Sequence, residues 1–342
     1  MKNLRDYTQK ELEKILCEKG EPRFRAGQVF KWLYSGAESI DDMTNLPKGL
    51  REKLKAEYSI NNLKIEQKFV SALDETRRYL LQLDDGNFIE SVLMKYHHGY
   101  TICVSSQVGC AMGCAFCAST RGGKVRNLTP GEIVGQVMTV GNDLGERISN
   151  IVLMGMGEPL DNFDNVMRFL EIVNNPNGLN IGMRHISLST CGLAERIREL
   201  ADRQLQLTLS VSLHAPNDEK RSKIMPVNRR YPIETLIDAC RYYIAKTNRR
   251  ISFEYTLING VNDTEEEAKE LLKLISGMLC HVNLIPVNEV KETGFSASGH
   301  TAVERFREVL ENGGMSATVR REMGADISAA CGQLRASATR RA

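Results

Sequence analysis

The sequence TICVSSQVGCAMGCAFCAST, residues 101–120, decides how this chain folds and where its chemistry lies. Its first six residues are apolar, β-branched or small, as in a buried strand. Three cysteines follow in a C-x₃-C-x₂-C pattern, at Cys110, Cys114 and Cys117, with no fourth cysteine on the same loop. Structural zinc sites and common iron–sulfur clusters take four protein ligands. The pattern therefore predicts a [4Fe–4S] cluster with one open iron, although a zinc knuckle or three buried thiols would have the same spacing.

From about residue 100 the chain alternates between strands and helices. One helix has a clear start, with Thr129 as the cap, Pro130 at the first helical position and Glu132 at the third. Such alternation predicts a parallel sheet, either open or closed into a barrel, and six or seven units are too few for a complete eight-stranded barrel. The predicted strands are TICVSS, NIVLMG, RHISLST, QLTLSVSLH, ISFEYTL, HVNLIPV and ATVRRE.

The unusual motifs of the chain all follow predicted strands. Parallel α/β folds carry their chemistry at the carboxyl ends of the strands, so we expect these motifs to meet on one rim. Besides the cysteine loop, they are GMGEP (155–159), STCG (189–192), SLHAP (212–216), PVN (286–288) and DISAACGQL (326–334).

The residues before the alternating region indicate two further parts. Residues 1–60 are predicted to be a helical accessory domain, in which Thr8 and Glu11 form a capping box at the first helix. Residues 61–98 are predicted to be a β-meander linker, with a tight turn at residues 84–87. Residues 99–342 then form the barrel and a C-terminal loop around Cys331.

The composition indicates an ordinary globular protein. The 342 residues are 42% hydrophobic and 26% charged, and no apolar run approaches the roughly 18 residues that span a bilayer. The first twenty residues lack the apolar centre of a secretory signal, so we expect nine reduced or metal-bound cysteines in the cytoplasm.

Arginine clusters are the one feature of the charge pattern that suggests a partner. They are compatible with contacts to nucleic-acid phosphates and equally with solvated surface charge, because the net charge is only +2. The clusters are Arg229–Arg230, Arg249–Arg250, Arg320–Arg321 and the tail GQLRASATRRA.

The cysteine motif and GMGEP together resemble the radical S-adenosylmethionine superfamily. In that superfamily the open iron of the cluster chelates the methionyl amine and carboxylate of S-adenosylmethionine. GMGEP resembles the GGE segment of the superfamily, which implies that Gly157 and Glu158 receive the methionyl ammonium. Phe116 would cover the cluster.

Longer motifs resemble the RNA adenine-C2 methyltransferases of the RlmN type over most of the chain. The resemblance implies a partial (β/α)₆ TIM-like barrel of the radical SAM type with a small N-terminal helical domain. It implies methylation of an adenosine in 23S rRNA, near the peptidyl-transferase centre, and of an anticodon-loop adenosine in tRNA. It further implies a monomer that uses no membrane and an electron donor such as flavodoxin or ferredoxin. The motifs are EPRFRAGQVFKWLY, FIESVLM, residues 101–120, LMGMGEPLDN, SVSLHAPND, LIPVN and DISAACGQLR.

The resemblance also implies roles for three residues and the use of two S-adenosylmethionine molecules per turnover. The Cys331 thiolate takes a methyl group from the first molecule. Reductive cleavage of the second gives a 5′-deoxyadenosyl radical, which removes a hydrogen atom from S-methyl-Cys331. The resulting methylene radical adds to adenine C2, Glu90 accepts the C2 proton, and Cys103 attacks the Cys331 sulfur in a transient disulfide.

Further rim residues match family positions that contact S-adenosylmethionine. Cys191, in STCG, lies on the same rim, but a spare thiol beside a radical is chemically awkward, so we expect it to face away. The matching residues are Ser189, Ser212, Leu213, His214 and Asn288.

Three alternatives remain open from the sequence. A sister enzyme of the Cfr type, which methylates adenine C8, would share the cysteine machinery. A non-enzymatic RNA-binding protein would use Cys110, Cys114, Cys117 and Cys331 as zinc ligands. An activating enzyme for glycyl-radical proteins would have no need of Cys331 and its partner thiol.

Overall fold

The N-terminal part of the chain is helical, as predicted. A computed structural model describes residues 1–288, 290 and 293–334. The first helix begins with the predicted capping box, in which Thr8 and Glu11 each accept the other's backbone N–H. Strand β2 pairs in parallel with β1. The elements are β1 (Lys2–Asn3), α1 (Gln9–Glu18), α2 (Phe24–Tyr34), α3 (Lys48–Glu57) and β2 (Tyr58–Ser59).

An antiparallel meander follows and continues into the main sheet. The predicted turn lies between its second and third strands, where the N–H of Leu83 donates to the carbonyl of Asn87 at 2.8 Å. Gly86 has a φ of 80° there, a backbone conformation that favours glycine. The strands are β3 (Lys64–Val70), β4 (Arg77–Gln82), β5 (Phe88–Tyr96) and β6 (Gly99–Cys103).

The rest of the chain repeats a strand and a helix. A short hairpin of β7 (Gln107–Gly109) and β8 (Lys124–Asn127) first encloses the cysteine loop. The helices are α4 (Pro130–Leu144), α5 (Phe163–Asn174), α6 (Ala194–Asp202), α7 (Asp218–Ile224), α8 (Ile233–Thr247), α9 (Glu265–Ile275) and α10 (His300–Asn312). The strands are β9 (Ile148–Leu153), β10 (Ile186–Thr190), β11 (Thr208–Ser212), β12 (Ile251–Leu257), β13 (Cys280–Pro286) and β14 (Ala317–Val319).

One ten-stranded sheet organises the molecule. Its order is β14-β13-β12-β11-β10-β9-β6-β5-β4-β3, and the seven strands from β14 to β6 are parallel. Parallel strands in sequence order, joined by helical crossovers of one hand, wind towards a barrel. The six crossovers confirm the predicted partial (β/α)₆ barrel, whose end strands β14 and β6 do not pair within the described residues. Strand residues such as Ile102, Leu188 and Phe253 are fully buried in its core.

The N-terminal part is joined to the barrel at the start of α4. Thr129 and Glu132 form the predicted capping box there, with Pro130 at the first helical position. The Asp6 carboxylate accepts the N–H of Gly131 at 2.9 Å, and its position at a helix N-terminus is electrostatically favourable. A Cβ at Gly131 would lie 2.6 Å from the Asn3 side chain, so only glycine allows this close approach.

The predicted arginine clusters have different surroundings. Arg229, Arg230 and Arg250 are exposed, whereas Arg320 is partly buried in the barrel. The arginines of the C-terminal tail, which begin at residue 335, lie outside the described residues. Within those residues, the helices are too short or too polar to traverse a bilayer.

Candidate active site

A cavity of about 160 Å³ opens at the carboxyl ends of the parallel strands and collects most of the predicted site residues. Motifs more than two hundred residues apart in sequence meet here, from Cys110 to Cys331, as the single-rim prediction requires. Of the predicted residues, Cys103, Glu90 and Leu213 do not border this cavity. Those that do are Cys110, Cys114, Cys117, Gly157, Glu158, Ser189, Ser212, His214, Asn288 and Cys331.

The cysteine loop is held by the hairpin of β7 and β8. The N–H of Cys110 donates to the carbonyl of Gly123 at 3.0 Å. The N–H of Cys117 donates to the carbonyl of Cys114 at 3.1 Å. Gly109 has a φ of 72°, and a Cβ there would overlap the Gly123 carbonyl oxygen. A glycine is therefore required where the loop begins. This hairpin was not predicted from the sequence, because strands of three and four residues carry too little periodicity to detect.

The donor set of the loop fits an iron–sulfur cluster. The thiols of Cys110, Cys114 and Cys117 come from one loop and border one cavity. A [4Fe–4S] cluster takes thiolate ligands, and three of them on one loop could each hold a different iron. Burial raises the pKa of the Cys110 thiol to about 12, and metal coordination would supply the deprotonation.

Glu158 ties two rim loops together, in addition to facing the cavity. Its carboxylate accepts the backbone N–H groups of Leu160 at 3.0 Å and Cys191 at 2.7 Å. Burial raises the pKa of Glu158, and these hydrogen bonds oppose the increase. Gly157, with a φ of 104°, lies so close to β7 that a Cβ would be 2.6 Å from the Gln107 Cβ. The sequence predicted a ligand-binding role for this pair but not the structural one.

Cys191 contradicts one sequence-based expectation. It was expected to face away from the site, but its side chain borders the same cavity as the three predicted cluster ligands. The hydrogen bond from its N–H to Glu158 fixes the loop in this orientation. Burial, followed by the charge of Glu158, raises the pKa of the Cys191 thiol well above its ordinary value, so it is a neutral wall residue.

The fully buried Arg221 of α7 is a site residue that the sequence analysis missed. Its guanidinium donates to the carbonyls of Cys191 at 2.7 Å, Ser212 at 3.0 Å and Leu213 at 3.0 Å, and to the Asn228 side chain at 2.9 Å. It thereby holds the ends of β10 and β11 in register. Leu213, predicted to bind the cofactor, is fully buried and is held through its backbone. A charged residue on a short helix gives no signal of this role.

His214 is fixed in its neutral form. Its Nδ1 accepts the N–H of Thr256 at 2.9 Å, which leaves the ring proton on Nε2. Burial, assisted by the positive charge of Arg221, lowers the pKa of His214 to about 3. The ring also meets Phe116 edge to face, with 5.0 Å between the ring centroids. His214 can therefore serve as a hydrogen-bond donor at the cavity wall.

A second cavity of about 310 Å³ adjoins the first. Cys103 borders it and is buried, and its pKa is raised to about 12 by burial and then by electrostatic interaction with the nearby Cys331. Cys331 is exposed and borders both cavities. Much of the remaining wall is aliphatic or thioether. These wall residues include Val92, Met94, Val152, Met154, Ile285, Val287, Met323 and Leu334.

Cys331 is held from the barrel by two polar side chains. Asn288 donates to its carbonyl at 2.9 Å, and Nη1 of Arg320 lies 3.3 Å from its Sγ. Arg320 also lies 3.8 Å from the carboxylate of the buried Glu254. Burial lowers the pKa of Arg320, but electrostatic interactions with Cys331 and Glu254 outweigh this effect and raise the pKa overall. The sequence grouped Arg320 with surface arginines, whereas its guanidinium contacts the site.

The meander supports the Cys331 loop from the other side. The Asp326 carboxylate accepts the N–H of Ala72 at 2.9 Å, and the Asp74 carboxylate accepts the N–H of Gly324 at 2.8 Å. These bonds join the turn between β3 and β4 to the loop after β14. The meander thus extends the barrel sheet and also positions the C-terminal loop. The predicted domain boundaries at residues 60 and 98 stay predictions.

Glu90 lies on β5, close to the second cavity but not in its wall. It is buried, and Nη1 of Arg78 donates to its carboxylate at 2.9 Å. Side chains two apart on a strand share a face, so Glu90 lies on the same face as Val92, which does border the cavity. Its function as a proton acceptor stays a prediction.

Two family models match the chain. The model of the radical SAM superfamily matches residues 104–275, and that of the ribosomal RNA large subunit methyltransferase N-terminal domain matches residues 2–60. The first match spans half of the chain and includes the cysteine loop.

Similar proteins match over nearly the full length. A probable dual-specificity RNA methyltransferase RlmN of Clostridium beijerinckii is 57% identical over 98% of this chain and 96% of the relative. Another, of Alkaliphilus oremlandii, is 56% identical over 97% of each chain. The crystal structure of a radical SAM methyltransferase from Sphaerobacter thermophilus superposes with a TM-score of 0.93 and 47% identity, covering 98% of this chain and 100% of that one.

Proposed function

The chain belongs to the RlmN family of radical SAM RNA methyltransferases, and from this we propose that it methylates carbon 2 of adenosine in two RNAs. One substrate is an adenosine of 23S rRNA, and the other is an anticodon-loop adenosine of tRNA. The observation that carries the proposal is the position of Cys331, which borders both the cavity lined by the three cysteines of the loop and the adjoining apolar cavity. A group carried on its sulfur can pass from one cavity to the other.

The first cavity binds the cofactors. Cys110, Cys114 and Cys117 hold the [4Fe–4S] cluster, and Met112 and Phe116 exclude water from it. When bound, the cluster and S-adenosylmethionine supply a carbon radical that can remove a hydrogen atom from an unactivated C–H bond. The residues that bind S-adenosylmethionine are Gly157, Glu158, Ser189, Ser212, Leu213, His214 and Asn288, with Leu213 acting through its backbone.

The second cavity receives the adenine. Its aliphatic and thioether wall suits the flat, apolar faces of a base, and methionine side chains adapt to their ligands. Carbon 2 of a paired adenine lies within the helix, so the base must be unpaired or flipped out of its stack to enter. An adaptable wall agrees with the use of two different RNAs.

Three residues carry out the transfer. Cys331 carries the methyl group as a thioether and, after losing one hydrogen atom, bonds through this carbon to adenine C2. The adduct then gives up its unpaired electron, for which the bound cluster would be the acceptor, and Glu90 accepts the proton that leaves C2. The Cys103 thiolate attacks the Cys331 sulfur: an S–S bond forms, the S–C bond to the product breaks, and the released carbon takes up a proton to complete the methyl group. Burial keeps Cys103 protonated at rest, so it has to be deprotonated before this step.

We also infer the setting of the reaction. An electron donor such as flavodoxin or ferredoxin would supply electrons to a cluster bound at the three cysteines, and the protein acts as a cytoplasmic monomer. The exposed arginine pair Arg229–Arg230 is available for RNA phosphates.

Mapping of the methyl group tests the proposed function. RNA from a host that lacks its own enzyme is analysed after complementation with this chain. We expect 2-methyladenosine in both RNAs, and 8-methyladenosine would instead indicate the Cfr-type reaction. Cys331→Ala should abolish the modification, and Cys103→Ala should accumulate a covalent RNA–protein adduct. Cys17→Ala, which removes an exposed thiol on α1, is the matched control. Free methylated RNA at a normal rate from Cys103→Ala would contradict the resolving function.

A further inference from the structure

We infer that Arg320, held by Glu254, is the positioning residue that keeps the Cys331 sulfur at the wall between the two cavities. The inference rests on the proposed function, in which Cys331 is the methyl carrier. Cys331 is exposed and lies on a loop, so no helix or strand selects one of its staggered side-chain rotamers. Nη1 of Arg320, at 3.3 Å, is a donor to the sulfur itself.

The position of Arg320 is set by several other contacts. Its backbone N–H donates to the carbonyl of Leu284 at 2.8 Å, where β14 ends beside β13. Its Nη2 lies 3.8 Å from the Glu254 carboxylate and 3.5 Å from the Met154 sulfur. The guanidinium therefore borders both cavities, as Cys331 does.

Glu254 is itself fixed within the sheet. Asn283 of the neighbouring strand donates to one of its carboxylate oxygens at 2.7 Å, and Ser252 donates to the other at 3.2 Å. The Glu254 carboxylate is buried and already accepts two hydrogen bonds. It therefore attracts the Arg320 guanidinium without drawing it away from the Cys331 sulfur. The order from β12 outwards is carboxylate, guanidinium, sulfur.

This arrangement holds a thiolate more strongly than a thioether. A hydrogen bond between a guanidinium and an anionic sulfur is charge-assisted, whereas a neutral thioether is a weak acceptor. When the Cys331 thiolate attacks the methyl carbon of a sulfonium donor, its S–C bond forms, the donor's S–C bond breaks, and both charges disappear. Arg320 therefore holds Cys331 firmly before methyl transfer and releases it afterwards, when the methylated sulfur has to reach the second cavity.

The charge beside each exposed thiol can be measured with two alkylating reagents of similar size. Iodoacetate is anionic and iodoacetamide is neutral, so the ratio of their rates at one thiol cancels accessibility and reports the local charge. Cys331 and Cys17 are the exposed cysteines of the chain, and Cys17 serves as the internal reference. The cluster-loaded protein is used, and mass spectrometry of the peptides measures alkylation at each cysteine. The mass of the Cys331 peptide before alkylation verifies that this thiol is unmethylated.

We expect the iodoacetate-to-iodoacetamide ratio at Cys331 to exceed that at Cys17 by about fivefold, as one positive charge within about 4 Å would produce. Arg320→Gln should remove this excess and Arg320→Lys should retain most of it. Arg307→Gln, which removes an equivalent ion-paired arginine on α10, should leave it unchanged. Equal ratios at Cys331 and Cys17 in the wild-type protein would overturn the inference, even if Arg320→Gln failed to fold.

The methyl transfer itself gives the second measurement. In a single turnover, Arg320→Gln should slow the appearance of the methylated Cys331 peptide about tenfold, the effect of one charge-assisted hydrogen bond, with Arg320→Lys partly restored. A normal rate in Arg320→Gln would overturn the inference. The alkylation ratio needs no RNA, so failure of the proposed RNA methylation and failure of this inference are distinguishable.

Discussion

The backbone N–H of Ala118 donates to the carbonyl of Gly332 at 2.7 Å, which joins the loop of Cys110, Cys114 and Cys117 directly to the loop that carries Cys331. Beside it, the Ser119 hydroxyl donates to the carbonyl of Leu334 at 2.6 Å. Both donors follow the third predicted cluster ligand. These two hydrogen bonds, between segments more than two hundred residues apart, help to set the position of Cys331 relative to the predicted cluster ligands.

Removal of the second bond should weaken catalysis without loss of the cluster. Ser119→Ala leaves the buried carbonyl of Leu334 without its donor, at a cost of about 1–3 kcal/mol that falls on the Cys331 loop. We expect RNA methylation to decrease about tenfold while the iron content per chain stays at four. Ser35→Ala, at an exposed position after α2, should change neither. A loss of iron in Ser119→Ala would show that the bond supports the cluster loop instead.

Replacement of the buried Arg221 should be strongly destabilising. Arg221→Met removes the donor from four acceptors, of which the Cys191 carbonyl, the Leu213 carbonyl and the Asn228 side-chain oxygen are buried, so we expect the free energy of unfolding to fall by about 3–5 kcal/mol. Arg241→Met removes an exposed arginine paired with Asp238 on α8 and should cost less than about 0.5 kcal/mol. Urea denaturation followed by circular dichroism measures both. Similar costs for the two variants would contradict the assigned function of Arg221.

Alanine substitutions at two glycines with nearly the same φ distinguish the cost of backbone strain from the cost of a steric clash. Gly157 has a φ of 104° and lies against Gln107, whereas Gly36 has a φ of 101° and no heavy atom within 4 Å of a built Cβ. Gly36→Ala should cost about 1–3 kcal/mol from backbone strain alone. Gly157→Ala should cost about 1–3 kcal/mol more and also abolish binding of S-adenosylmethionine in equilibrium dialysis. Equal costs would mean that the loop moves freely away from β7.

His214 should make stability depend on pH. Its pKa is lowered from an unfolded value near 6.5 to about 3, so the unfolded chain binds the extra proton first and stability is lost as pH falls below about 6.5. Relative to His214→Asn, the wild-type protein should lose about 2 kcal/mol of unfolding free energy between about pH 7.5 and pH 5. Urea denaturation of both proteins at the two pH values measures the difference, and parallel pH dependences would contradict it.

Much of the fold and of the cofactor site could be predicted from local sequence. The capping boxes at Thr8 and Thr129 and the turn at residues 84–87 were predicted correctly, because each depends on residues a few positions apart. The β7–β8 hairpin and the barrel-side contacts of the meander were missed. Their strands are short, and their partners lie far away along the chain.

The parallel strand–helix architecture and the edge at which the motifs meet could be predicted from residue order alone. Alternating strands and helices with crossovers of one hand leave few arrangements, and each motif follows a strand. The direction in which individual side chains point became known only from the folded chain. Cys191 borders the cavity because Glu158 binds its backbone, and Arg320 contacts Cys331 because β14 lies beside β13. Such contacts depend on groups contributed by distant segments, and short-range periodicity contains no information about them.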